Sequence, residues 1–205
     1  MSSSNFDVWH QKQRKLRPKE YWQLKENGDL AELIGVVLGD GYIGQHERTQ
    51  VLRVVSNSNN QGFIDRYVSM IERVFSKQPA VAKRKNSECV NITIYQNNIA
   101  DRLSLHVGAK THRPYTLPNW IVNSRQFKLR FLRGLYETDG CVAYHPATYT
   151  HKFIFCNVNQ SLLDLVFMLL CELGFHPTKT KRNVQLSRKA EVQAALKLVK
   201  FRDYN

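Results

Sequence analysis

The feature that most constrains this chain is a duplicated motif. Leu33-Ile-Gly-Val-Val-Leu-Gly-Asp-Gly-Tyr42 and Leu132-Arg-Gly-Leu-Tyr-Glu-Thr-Asp-Gly-Cys141 align so that Gly35 matches Gly134, Asp40 matches Asp139 and Gly41 matches Gly140, each pair 99 positions apart. A lone Asp-Gly after an apolar helix is an ordinary turn. Two at a constant offset point to two copies of one structural unit.

The register persists beyond the motif. An alternating stretch, Leu52–Asn57, runs into a segment whose apolar positions 63, 64, 67, 68, 71, 74 and 75 form one helical stripe. Its counterparts are Lys152–Asn157 and the apolar run Ser161–Leu173, after which Gly174 stands where a helix C-cap glycine belongs. Two short strands follow in each half: Ala80–Lys85 with Cys89–Tyr95, and His176–Lys181 with Asn183–Ser187. Closing helices are expected over Asn97–Val107 and Arg188–Phe201, the latter capped by Ser187.

The expected fold class is therefore α+β, with two pseudo-symmetric αββαββα repeats whose antiparallel sheets carry helices on one face and leave the other open and polar. The organisation is a basic N-terminal arm (1–28), a first repeat (29–110), a linker (111–123) with Pro114 and Pro118, and a second repeat (124–205). The arm is rich in cations: Lys12, Arg14, Lys15, Arg17 and Lys19.

Gly35 and Gly39, and likewise Gly134 and Thr138, are four residues apart and line one face of each motif helix. Small residues let two helix backbones approach closely, which would bring Asp40 and Asp139 side by side at adjoining C-terminal ends. Carboxylates there face a partial negative charge of about half an electron as well as each other. A divalent cation held by Asp40, Asp139 and last-turn carbonyls, those of Gly39 and Thr138, resolves the conflict. Hard oxygen ligands make Mg²⁺ the natural ion.

The net charge is +13, from 30 Lys and Arg against 17 Asp and Glu, a surplus that calls for a polyanion. Cys89, Cys141, Cys156 and Cys171 are scattered, with no Cys-x-x-Cys and no pairing with a nearby histidine, which argues against a structural zinc and fits a reducing compartment. Neither a signal peptide nor a membrane span is recognisable, so the expected location is intracellular (cytoplasm, nucleoid or organelle matrix) with no membrane partner.

The two motifs, and the order of elements over residues 29–205, resemble the LAGLIDADG homing endonuclease family in its single-chain, two-repeat form. The resemblance implies a monomeric, intron-encoded enzyme that cuts double-stranded DNA, with Asp40 and Asp139 as the metal-binding catalytic carboxylates. It also implies polar residues that position water before the second helix of each repeat: Asn57 and Gln61, and Asn157 in the second half. For the asparagines a turn or helix cap is an equal alternative. A basic residue that reaches the scissile phosphates maps to Lys110, and the second half offers only Lys179 or Lys181 in its place.

Alternation gives the DNA-facing positions. His46 and Arg48 continue the parity of Tyr42 and Gly44, and His145 that of Cys141 and Ala143. Lys83, Lys85, Asn91, Thr93 and Tyr95, and in the second half Gln185 and Ser187, are assigned opposite the apolar face. Such a polar ribbon fits the major groove. Two halves end to end would cover on the order of 16 base pairs at about 3.4 Å each, and the target should be asymmetric because the halves differ. An RNA maturase that binds intron RNA, or a non-cleaving DNA-binding regulator, is the alternative. An intein is disfavoured by the Met start and by Tyr204 before Asn205.

Overall fold

The computed structural model describes residues 21–111, 113–146 and 149–204. The arm cations Lys12 to Lys19 lie outside the described residues. The first half comprises α1 (Gly28–Leu38), β1 (Tyr42–Gln45), β2 (Gln50–Asn57), α2 (Gln61–Phe75), β3 (Ala80–Lys83), β4 (Cys89–Gln96) and α3 (Ile99–Leu103). After a short helix α4 (Asn119–Val122), the second comprises α5 (Arg125–Asp139), β5 (Gly140–His145), β6 (Thr150–Cys156), α6 (Gln160–Glu172), β7 (Thr178–Lys179), β8 (Asn183–Leu186) and α7 (Lys189–Val199). Both halves are αββαββα, and each sheet is antiparallel with its strands in the same order, β1-β2-β4-β3 and β5-β6-β8-β7.

Local chemistry sets the helix starts. The side chains of Asn27, Asn60, Ser124 and Asn159 accept backbone N–H bonds at the heads of α1, α2, α5 and α6, satisfying donors that have no partner within the helix. Gly174, at φ +89°, follows α6 with the N–H of Phe175 reaching back to the Leu170 carbonyl, the left-handed closure that glycine adopts without strain. Ser187, expected to cap α7, falls one residue early. The cap is Arg188, whose side chain makes no bond to the helix's backbone N–H groups and instead donates to Glu191 of the first turn at 3.1 Å. The expected helix 97–107 shrinks to Ile99–Leu103 because Ser104 turns left-handed at φ 55° and the Leu105 N–H closes on the Ala100 carbonyl. The strand expected over His176–Lys181 contracts to two residues.

The motif helices α1 and α5 pack against each other at their glycines. A Cβ on Gly134 would sit 2.0 Å from the Glu32 carbonyl, one on Gly35 would sit 2.3 Å from the Phe131 carbonyl, and one on Gly39 would sit 1.9 Å from Thr138 Oγ1. Backbone therefore touches backbone, and one continuous apolar core runs through both halves. Helix side chains and one face of each sheet fill it: Leu52, Val54, Ile92 and Ile94 in the first sheet, Phe153, Phe155, Val184 and Leu186 in the second.

A polar seam crosses the helix pair. Glu32, fully buried, accepts from Arg66 Nε at 2.6 Å, Arg130 Nε at 2.6 Å and the Tyr67 hydroxyl at 3.1 Å. Arg133 lies between Glu32 and Glu137, and Glu137 accepts from the Tyr204 hydroxyl at 2.6 Å. The Tyr204 ring in turn lies against Gly62 of α2. A buried carboxylate is tolerable only with this many donors, and these donors come from both halves. No helix among the described residues is long and apolar enough to cross a membrane.

Candidate functional site

The motif carboxylates end adjoining helices but are not equivalent. Asp139 is the last residue of α5 and half-buried, whereas α1 stops at Leu38 and leaves Asp40 exposed two residues beyond it. Both line one open cleft of about 290 Å³, shared with Gly39, Lys110, Thr111, Cys156, Asn157 and Asn159.

Asp139 Oδ2 accepts the Asn157 carboxamide at 2.7 Å. Burial, with the like charge of Asp40 next, pushes the Asp139 carboxyl up to about 6, against the lowering pull of Asn157 and Lys110. Asn157 is held by the turn it belongs to, since its Oδ1 accepts the Asn159 N–H at 2.8 Å. The Asn159 carboxamide then donates to the Lys110 carbonyl at 2.8 Å and the Arg113 carbonyl at 2.9 Å. Asn159, buried and overlooked in the sequence, thus fastens the linker to the head of α6. Ser161 does the same with Tyr115, accepting its N–H at 2.9 Å.

Lys110 reaches back across the first half. Its ammonium donates to the carbonyls of Val37 at 2.6 Å, Gly39 at 2.5 Å and Gly41 at 2.7 Å. All three of its protons are thereby used at the negative end of α1. Burial lowers Lys110 to about 8, against the attraction of Asp139 and Asp40, so it remains charged at neutral pH. The Gly39 carbonyl, expected as a metal ligand, thus already accepts one hydrogen bond from the Lys110 ammonium. Thr138 turns its hydroxyl back onto the Leu135 carbonyl at 2.8 Å.

Other expected positions fall elsewhere. Asn57 Oδ1 accepts the Asn59 N–H at 2.8 Å, the turn role that was its alternative. Gln61 donates to Asp65 at 2.7 Å on the exposed face of α2 and does not line the cleft. Lys179, a candidate for the second half, pairs with Asp164 of α6.

On the sheets, Asn91, Thr93 and Tyr95 lie on the face away from the core, and Gln185 does so in the second half. His46 lies beside Tyr95, ring centroids 6.2 Å apart. Arg48 is exposed in the β1–β2 turn, His145 ends β5 opposite Thr150, and Ser187 is half-buried just past β8. Lys83 is a correction: it pairs with Val90, so its side chain leaves the sheet on the helix side. Lys85 lies in the turn beyond β3. Arg84, whose N–H bonds to the Cys89 carbonyl, takes the open-face parity instead.

Among the described residues no group of three or more His, Cys, Asp or Glu is placed to hold a metal ion. The side-chain ligands on offer are the two aspartates. That set fits Mg²⁺, which typically takes one or two carboxylates and completes its shell with water and substrate phosphate. A cation between the two carboxylates would relieve the repulsion by which Asp40, after burial, raises the Asp139 carboxyl.

Residues 126–199 match the family model described as LAGLIDADG-like domain. The homing endonuclease I-WcaI bound to its DNA recognition sequence superposes with a TM-score of 0.64 over 98% of this chain and 89% of that one, at 16% identity. The chain is a two-repeat LAGLIDADG-fold protein. Mesophilic variants of the homing endonuclease I-DmoI give a TM-score of 0.59 at 14% identity, over 84% of this chain and 94% of that one. I-DmoI structures include complexes with DNA and Ca or Mn. The N-terminal LAGLIDADG domain of DUF199/WhiA gives 0.52 at 13% identity, over 84% and 82%. In sequence, the replication factor C small subunit of Methanocaldococcus jannaschii is 29% identical over 57% of this LAGLIDADG-fold chain, and the uncharacterized protein MJ0314 of that organism is 23% identical over 84%. The chain spans 7% of the first relative's length and 62% of the second's.

Proposed function

We propose that this chain is a site-specific, Mg²⁺-dependent double-strand DNA endonuclease that cuts one long asymmetric target as a monomer. The observation that carries this is the pairing of Asp40 and Asp139 in one open cleft between two sheets with polar outer faces. Asp40 and Asp139 hold the metal, and Asn157 keeps the Asp139 carboxylate in one orientation. Lys110 anchors the α1 end from which Asp40 projects and offsets the charge of both carboxylates. A bound divalent ion supplies activation of water and stabilisation of the leaving oxygen. With a net charge of +13, phosphate attraction brings DNA to the open faces.

The same fold occurs in the N-terminal LAGLIDADG domain of DUF199/WhiA, and a non-cleaving DNA-binding regulator of this fold is the second reading. The two retained carboxylates favour the nuclease.

The test is cleavage of fragmented genomic DNA with Mg²⁺, by the parent and by Asp40→Asn, with the new ends sequenced. One recurrent long site cut by the parent alone supports the nuclease. Binding at a recurrent site without cutting supports the regulator, and binding to intron RNA with stimulated splicing supports a maturase.

A further inference from the structure

The outer faces of the two sheets carry a matched row of residues, each starting two positions after a motif aspartate. In the first sheet strand pairing aligns Tyr42, Arg53, Thr93 and Ala80. In the second it aligns Cys141, Ile154, Gln185 and Thr178. Arg53 therefore occupies the inner-strand position that Ile154 fills in the other half.

Arg53 is half-buried in this row, and its Nε is buried with no hydrogen-bond partner among the described residues. In the next row on the same face, Asn91, opposite Val55, has a buried Oδ1 that is likewise unpartnered. A charged donor and an amide acceptor left unsatisfied within a sheet are costly unless a ligand completes them. Their chemistry is complementary to a G·C pair seen from the major groove: a guanidinium donates to guanine O6 and N7, and an amide oxygen accepts from cytosine N4. Arg53 is also flanked by strands on both sides, so it faces base edges where edge strands and turns meet phosphates. Two residues of strand beyond Asp40 is about 6.6 Å, roughly two base-pair steps.

Resting on the nuclease reading above, we propose that Arg53, seconded by Asn91, is a specificity-determining residue that reads one guanine near the cut in the half-site under the first sheet. The matching position under the second sheet, facing Ile154, carries no such demand, so this row is one source of target asymmetry.

Selection of bound sequences from a random duplex library, with Ca²⁺ so that no cutting is needed, tests this for the parent, Arg53→Gln and Arg53→Ala. The parent should favour one guanine by about ten- to a hundredfold. Both variants should keep the rest of the site, and their melting temperature, while losing that preference. Unchanged base preferences in both variants overturn the inference and leave the nuclease reading standing. So does a uniform loss of affinity with a salt slope smaller by about one, which marks a phosphate contact. A parent that enriches no sequence overturns both.

Discussion

Asn157 and Asn57 hold equivalent turns, each accepting the N–H two residues on at 2.8 Å, but only Asn157 also donates to its motif aspartate, Asp139, at 2.7 Å. Two halves built on one plan thus treat their catalytic candidates differently. Asp139 is held by an amide at the end of α5. Asp40 stands free beyond α1, where Lys110 gathers the carbonyls.

Removing that ammonium should be costly. Lys110→Met deprives three converging carbonyls of their donor. Hydrogen bonds to charged groups contribute about 1.5–3 kcal/mol each, partly recovered by solvation. We expect a loss of about 2–3 kcal/mol in urea unfolding, together with loss of cleavage. Lys110→Arg should not restore activity, because a flat fork cannot serve three oxygens around one point. Full activity in Lys110→Met would refute the anchoring role.

The glycine seam should tolerate no side chain. Gly134→Ala and Gly35→Ala place a Cβ 2.0 Å and 2.3 Å from backbone oxygens of the opposite helix. Overpacking against unyielding backbone costs about 1–3 kcal/mol or more, and both variants should melt well below the parent in calorimetry. At Gly108, where a Cβ would meet nothing, only the φ of +85° opposes alanine, so Gly108→Ala should cost about 1 kcal/mol.

Cation binding should weaken in acid. With its carboxyl pushed up to about 6, Asp139 takes a proton as pH falls through that value, and affinity for Mn²⁺ should drop about tenfold per unit below it. Titration calorimetry at pH 5, 6 and 7.5 checks this. Without metal the sign reverses. The folded carboxyl holds its proton more tightly than the unfolded one, so this group's contribution to stability is fully present below about pH 4. It is lost as pH rises through about 6. A flat Mn²⁺ affinity from pH 5 to 7.5 would contradict the assignment.

The polar seam should be a point of failure. Glu32→Ala leaves Arg66, Arg130 and Tyr67 without their shared acceptor, and breaking such a buried set costs about 3–5 kcal/mol. Glu32→Gln keeps the shape and should cost less. Equal unfolding midpoints for the parent and Glu32→Ala would show that water replaces the carboxylate.

The duplicated motif, the αββαββα order, the glycine stripe and the two aspartates were legible in the chain because each is local: periodicities of 3.6 and 2, and a repeat at constant offset. Strand register and long-range partnership were not. Whether Lys83 or Arg84 faces outward depends on which residue of β4 stands opposite, and a shift of one exchanges them. Arg53 stood in plain view within an alternating strand, yet only pairing with Thr93 and Tyr42 put it in the row beyond Asp40. The sequence alone determined that two like units would meet at their glycines and bring two carboxylates together. Only the tertiary structure decided that Lys110 would bond to carbonyls, Gln61 would turn away and Asn159 would fasten the linker. Those outcomes depend on distances between residues tens of positions apart, which no local pattern encodes.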